Sequence, residues 1–316
     1  SLFGLLVHAH YRTTPADLER LLDAPNLAVH AIVESNRVLA ATLVAQEGGL
    51  ARTDCDALGR GEWRIRGHAL ADTLIVHAAR PDAGELHMLR SVRIVTHPAL
   101  RRRGIARALV EHLHATHTPD LFGTVFGASV ELLHFRRALG YHLVRVGSTR
   151  GASSGEPSLV MLRPATDRAR SLVADLQGDL ARNLPLQLDL LAADGDLDVE
   201  PALRRALLDE LAPATVLDAA EVRRRVEAFT NGAQTMEAAL YSLDAFLRSP
   251  DARLERLDPR QRRLLEQRVL ARHSWQAAAT AAKYADVPAA MRAVRPAVRQ
   301  LLESSSREDS SETIYV

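Results

Sequence analysis

The chain has one cysteine, Cys55, in 316 residues, which excludes an internal disulfide and fits a reducing, cytoplasmic setting. Apolar runs are short. None approaches the ~20 residues that span a bilayer, and the apolar start at residues 2–7 lacks the length and basic flank of a secretion signal. Lysine is nearly missing: Lys283 is the one lysine among 40 basic residues, and the others are arginine. The formal net charge is only +1, so a polyanion-binding role has to come from local arginine clusters rather than from the total. The Gly-x-Gly-x-x-Gly dinucleotide pattern is absent, and so is the Gly-x-x-x-x-Gly-Lys-Ser/Thr phosphate loop. No repeat recurs at solenoid periods. The thirteen histidines are scattered and Cys55 has no cysteine partner, so no metal site is expected.

With 47% apolar and 25% charged residues, the chain is long enough for about two globular domains. Residues 1–165 alternate between strand and helix patterns. Residues 166–303 carry helical periodicity and much alanine, and the boundary is expected near Arg163-Pro164-Ala165-Thr166. Residues 304–316 are Ser-rich and charged, so a disordered tail is expected. Met is missing at position 1, so the chain reads as a piece of a longer protein.

In the first part, Thr14-Pro15-Ala16-Asp17 opens a helix. Strands are expected over 27–34 and 38–45 with a turn at Ser35-Asn36-Arg37, followed by an excursion over 48–62 with a short helix and a mixed segment over 64–78. Then come strand 91–96, helix 104–117, strand 121–126, helix 130–139 closed by Gly140, and strands 141–146 and 158–162. That order describes an α/β fold, a mixed sheet with flanking helices, ahead of a mostly α-helical domain. Helices there are expected over 168–191, 201–211, 219–247, 259–282 and 287–302.

The most informative segment runs from Val92 to Arg107. An apolar strand meets a turn at His97-Pro98, and Arg101-Arg102-Arg103-Gly104-Ile105-Ala106-Arg107 opens a helix. Free N–H groups and the helix dipole favour an anion at such a start, and Gly104 and Ala106 keep side chains out of its way. The pattern suits a pyrophosphate; a basic turn capping an ordinary helix would use similar residues. His10 is the first choice for a base or substrate-orienting group, with Tyr11 beside it as an acid. Glu131 is the second choice, although carboxylates also favour a first helical turn for dipole reasons alone. His97 is expected to shape the turn.

Strand, Arg-x-x-Gly-x-Ala loop and helix together resemble the acetyl-CoA motif of GNAT acetyltransferases. A narrower resemblance, to the tRNA(Met) cytidine acetyltransferases, rests on 2–7, on His10-Tyr11-Arg12-Thr13-Thr14-Pro15, on Ser129-Val130-Glu131-Leu132-Leu133-His134-Phe135, on Gly140-Tyr141 with the strand after it, and on Arg150-Gly151-Ala152-Ser153-Ser154-Gly155. In the helical part it rests on Phe229-Thr230-Asn231-Gly232 and Ser274-Trp275. The chain departs from the pattern at Arg136, where that family commonly has Trp, and at Thr96, a milder change.

The resemblance implies acetyl transfer from acetyl-CoA to N4 of the wobble cytidine of elongator tRNA(Met). Acetyl-CoA would be held by Arg101 to Arg107, with a backbone N–H of Ile94 or Val95 for the thioester oxygen. An ATP site is expected only on a preceding module that this chain does not contain. Arg150, Ser153 and Ser154 would meet RNA, and so would the basic helical run, in particular Arg262, Arg263, Arg268 and Lys283. Interleaved Glu255, Asp258 and Glu266 fit a solvated helix face equally well. Two other roles suit the same residues: a GNAT enzyme acting on a protein or small-molecule amine, and a catalytically silent RNA-binding module that keeps acetyl-CoA.

Overall fold

The computed structural model describes residues 24–150, 155–195 and 199–312. The chain forms two compact units, one of Ser1–Gly147 with Gly151–Gln177 and one of Ser148–Arg150 with Gly178–Val316. The main division thus falls inside a helix rather than near Arg163 to Thr166.

The first unit is built on a six-stranded sheet in the order β1-β2-β3-β4-β6-β5. The strands are β1 (Leu27–Glu34), β2 (Arg37–Gly48), β3 (His87–Thr96), β4 (Leu121–Gly127), β5 (His142–Arg150) and β6 (Pro157–Pro164). Ser35 and Asn36, both at positive φ, make the two-residue turn that pairs Glu34 with Arg37, a backbone shape whose twist matches a hairpin. β1 and β2 are antiparallel, as are β2 and β3, whereas β3 and β4 run parallel.

Parallel neighbours need a crossover, and α3 (Ile105–Thr116) supplies it, burying Leu109, Val110 and Leu113. Before it lie α1 (Arg52–Arg60) and α2 (Ala69–Asp72), the latter continued by a π-helical turn at Thr73–His77. α4 (Val130–Arg137) follows β4, with the Ser129 hydroxyl accepting from the Leu132 N–H at 3.2 Å as its cap.

Leu70, Leu74, Met88, Leu121, Val160 and Leu162 form one buried cluster, joined by Ala169, Leu172, Val173 and Leu176 from α5 (Asp167–Asp194). Gly123 lies under that cluster because Leu70 occupies the place of a side chain: a Cβ on Gly123 would stand 2.2 Å from Leu70 Cδ2.

The second unit is helical: α6 (Pro201–Asp209), α7 (Ala219–Asn231), α8 (Leu240–Arg248), α9 (Pro259–Leu265), α10 (Trp275–Ala281) and α11 (Val287–Glu312). Its core gathers Val226, Leu240, Leu243, Leu264, Val269, Val294 and Leu301.

Three helical expectations need correction. Residues 219–247 break after Asn231, because Arg295 donates to the carbonyls of Phe229, Gly232 and Gln234 while Arg299 donates to that of Thr230. Residues 259–282 break after a π-helical turn, Glu266–Leu270, where Arg272 takes a positive φ. The expected disordered tail begins instead as helix, since α11 runs to Glu312. The helix expected after Thr14 lies outside the described residues. Among the described residues, no helix is long and apolar enough to cross a membrane.

Candidate functional site

β3 and β4 pair only from Met88 with Leu121 to Ser91 with Thr124. Beyond that point β3 continues to Thr96 bonded to β2 alone, and β4 continues to Gly127 bonded to β6. Opposite Leu43 and Val44 the register of β3 shifts, so that Ser91 and Arg93 face them and Val92 is the extra residue of a bulge. A bulge bends its strand, and this one sits where β3 leaves β4. The result is a wedge with its vertex at Ser91 and Thr124, along whose open edge Ile94 and Val95 offer backbone to only one neighbouring strand.

The wedge leads into the arginine loop. His97 Nδ1 accepts from the Ala99 N–H at 3.3 Å, so His97 does shape the turn. Arg102 and Gly104 both have positive φ, and Gly104 is the N-cap of α3 with no side-chain cap. The first N–H that α3 uses here is that of Ala108, to the Gly104 carbonyl, which leaves those of Ile105, Ala106 and Arg107 outside the helix's own bonding. No atom lies within 4 Å of where a Gly104 Cβ would be. Arg101, Arg102, Arg103 and Arg107 are exposed, and Arg107 pairs with Glu111 at 3.5 Å. Four guanidinium groups and three free N–H groups thus surround an open helix start. That combination can hold a diphosphate.

Glu131, on the first turn of α4, is exposed, and its Oε1 lies 3.9 Å from Arg102 Nη1, at the mouth of the wedge. His10, Tyr11, Ser153 and Ser154 lie outside the described residues, and Arg150 is the last residue of β5. Residues 151–155 also spell Gly-x-Ser-x-Gly, but in sequence they fall between the end of β5 at Arg150 and the start of β6 at Pro157, whereas a nucleophile elbow needs a helix to follow.

At the vertex the structure assembles side chains that sequence reasoning did not group. Arg136 Nη2 donates to Ser91 Oγ at 3.1 Å, and Thr124 Oγ1 to the Ser91 carbonyl at 3.3 Å. Tyr141 stands beside Arg136, and its hydroxyl is 3.1 Å from His114 Nε2. Burial, then Arg163 and Arg136, push the His114 imidazole down to about 4. Between its ordinary 6.5 and about 4 the unfolded chain takes up a proton that the folded chain refuses, so stability should fall as pH drops through that window. Urea midpoints at pH 7.5 and 4.5 should differ markedly less in His114→Gln than in the wild type; an unchanged difference would contradict the assignment.

In the helical unit the basic run separates into two sets. Arg268, expected to face RNA, is fully buried and bonds Asp194 through both guanidinium ends at 2.9 and 2.7 Å, under the Trp275 ring at 4.3 Å. That expectation is corrected: Arg268 has no surface to present. Arg260 turns back to the carbonyls of Ala282 and Lys283, and Arg272 to Asp244. Arg262, Arg263 and Lys283 are exposed, with Arg262 Nε 2.8 Å from Glu266. The motif residues Phe229 to Gly232 and Ser274-Trp275 act structurally: the first accept from Arg295 and Arg299, and Ser274 caps α10.

A family model described as GNAT acetyltransferase 2 matches residues 1–119. The tRNA(Met) cytidine acetyltransferase TmcA of Haloarcula marismortui is 38% identical over 283 residues, 87% of this chain and 36% of the relative. That of Nitrosococcus halophilus is 34% identical over 309 residues, 95% of this chain and 41% of the relative. The chain therefore spans about two fifths of the length of these curated relatives. Among solved structures, the ribosomal-protein-S18-alanine N-acetyltransferase from Escherichia coli aligns with a TM-score of 0.35 at 13% identity, covering 52% of this chain and 88% of that one.

Proposed function

Because the chain belongs to the tRNA(Met) cytidine acetyltransferases, a family of GNAT acetyltransferases, we propose that it transfers acetyl from acetyl-CoA to N4 of the wobble cytidine of elongator tRNA(Met). The observation that carries the donor half is the wedge between β3 and β4 opening onto the glycine-capped start of α3.

The residues present fit acetyl-CoA. The N–H groups of Ile105, Ala106 and Arg107, with the guanidinium groups of Arg101, Arg102, Arg103 and Arg107, would hold the diphosphate. The open edge of β3 would take the pantetheine arm as an added extended segment, and a backbone N–H of Ile94 or Val95 would donate to the thioester oxygen as charge develops there. When bound, acetyl-CoA supplies an acyl group activated as a thioester. The cytidine N4 amine is a weak nucleophile, its lone pair being delocalised into the ring. The protein therefore has to orient that amine and accept its proton. His10 and Tyr11 remain the groups proposed for the proton. Glu131, whose Oε1 lies 3.9 Å from Arg102 Nη1, is the second group proposed for it.

The acceptor half is supported by what the relatives are named for and by the exposed cations. Arg150, Ser153 and Ser154 would approach the RNA backbone, and Arg262, Arg263 and Lys283 would meet phosphates. The double variant Arg262→Glu/Arg263→Glu should weaken tRNA binding more at low than at high salt and lower the salt slope by about one for each phosphate it releases. Equal weakening at both salts, measured by fluorescence anisotropy, would contradict a role in meeting phosphates.

A further inference from the structure

The vertex of the wedge holds a cation that no carboxylate among the described residues neutralises. Arg136 is 4% exposed. Its Nη2 bonds the neutral Ser91 hydroxyl and the Tyr141 hydroxyl lies within hydrogen-bonding reach of the guanidinium, while its Nη1 is buried without a hydrogen-bond partner. Among the described residues, the groups facing it are Phe135 on its own helix, Tyr141 ahead of β5, His114 on α3 and Ser91 on β3, with Arg163 of β6 near the same Tyr141. None of these is a carboxylate.

The aromatic rings, 5.4 and 5.6 Å from the guanidinium carbon, offset only part of the cost of burial. A desolvated cation–π contact recovers less than taking an ion out of water costs.

Ser91 and Thr124 are the last paired residues, so Arg136 marks the closed end of the wedge, while the arginine loop marks the open end. The five residues between, Val92 to Thr96, span roughly 17 Å of strand at ~3.3 Å each. An extended ligand with its diphosphate at the open end would place its far end near Arg136.

We propose that the free Nη1–H of Arg136 binds the sulfur of coenzyme A and stabilises it as the thiolate that leaves the acetyl group. This inference rests on the acetyl-CoA reading above. In the transfer, the amine nitrogen bonds the carbonyl carbon and the C–S bond breaks with its electron pair on sulfur. The amine proton goes to a base or solvent, and the thiolate later takes a proton from solvent. Arg136 stays protonated throughout and acts by charge and hydrogen bond.

The test is calorimetric binding of coenzyme A and of S-methyl-coenzyme A, which cannot form a thiolate, at pH 6.5 and 8.5. His114 titrates near 4 and burial raises Tyr141 above its usual range, so neither changes charge in this interval. All other groups act alike on the two ligands. In the wild type the affinity ratio of coenzyme A to its S-methyl form should rise about tenfold across the interval, as expected if a thiol of ordinary pKa near ~8.5 is pulled down on binding. The rise should vanish in Arg136→Met and persist in part in Arg136→Lys. A flat wild-type ratio, or a rise kept in Arg136→Met, overturns the role of Arg136 and leaves the donor site standing. Failure of both ligands to bind overturns the donor site and this inference together.

Discussion

Gly104→Glu should weaken acetyl-CoA binding by at least about a hundredfold. A carboxylate at the N-cap of α3 would stand among the N–H groups and arginines assigned to the diphosphate, and two like charges ~4 Å apart repel by about 4 kcal/mol at an effective dielectric of 20. Positive φ at this position adds strain for any side chain, of the order of 1–2 kcal/mol. Gly104→Ala separates the two effects. It carries the strain without the charge, and the space around Gly104 is open, so it should bind within about tenfold of wild type. Calorimetry that finds equal affinity in wild type and Gly104→Glu would show that the arginine loop does not hold the diphosphate.

Asp194→Ala should destabilise the helical unit by about 3–5 kcal/mol. Arg268 is fully buried, and Asp194 meets both ends of its guanidinium while accepting the Trp275 N–H at 2.8 Å. Removing the carboxylate leaves a buried cation whose remaining carboxylate, Glu237, is 3.8 Å away, together with an unbonded N–H at the start of α10. The effect should therefore lie toward the lower end of that range. Urea unfolding followed by Trp275 fluorescence reads it, and a loss below about 1 kcal/mol would mean that the pair is solvated in solution.

Much of the sheet was legible because its strands alternate or run apolar between clear turns. The 27–34 strand, the short turn at Ser35 and Asn36, and the helix after Gly104 all appear where local pattern puts them. The wedge was not legible. It depends on the shift at Val92 and on where the β3–β4 ladder stops, and no residue type announces either.

Arg136 was visible as a departure from the resembled pattern, but its burial against Ser91 and Tyr141 comes from tertiary packing. Arg268 was misread for the reason that makes arginine a surface residue by default; its partner is 74 positions away. The helical breaks were missed because 232–239 contains Ala, Met and Glu, all compatible with helix, while the bonds that hold the break come from Arg295 and Arg299 far along the chain. The histidine and serine motifs that pointed most specifically to an RNA acceptor, at His10 and at Ser153-Ser154, lie outside the described residues, so the geometry speaks mainly for the donor.

The most direct measurement is mass spectrometry of nucleosides from elongator tRNA(Met) incubated with the full-length protein, acetyl-CoA and ATP. N4-acetylcytidine should appear at the wobble position and be lost in Gly104→Glu. A protein that binds acetyl-CoA yet forms no N4-acetylcytidine, while acetylating a protein or small-molecule amine, would contradict the account.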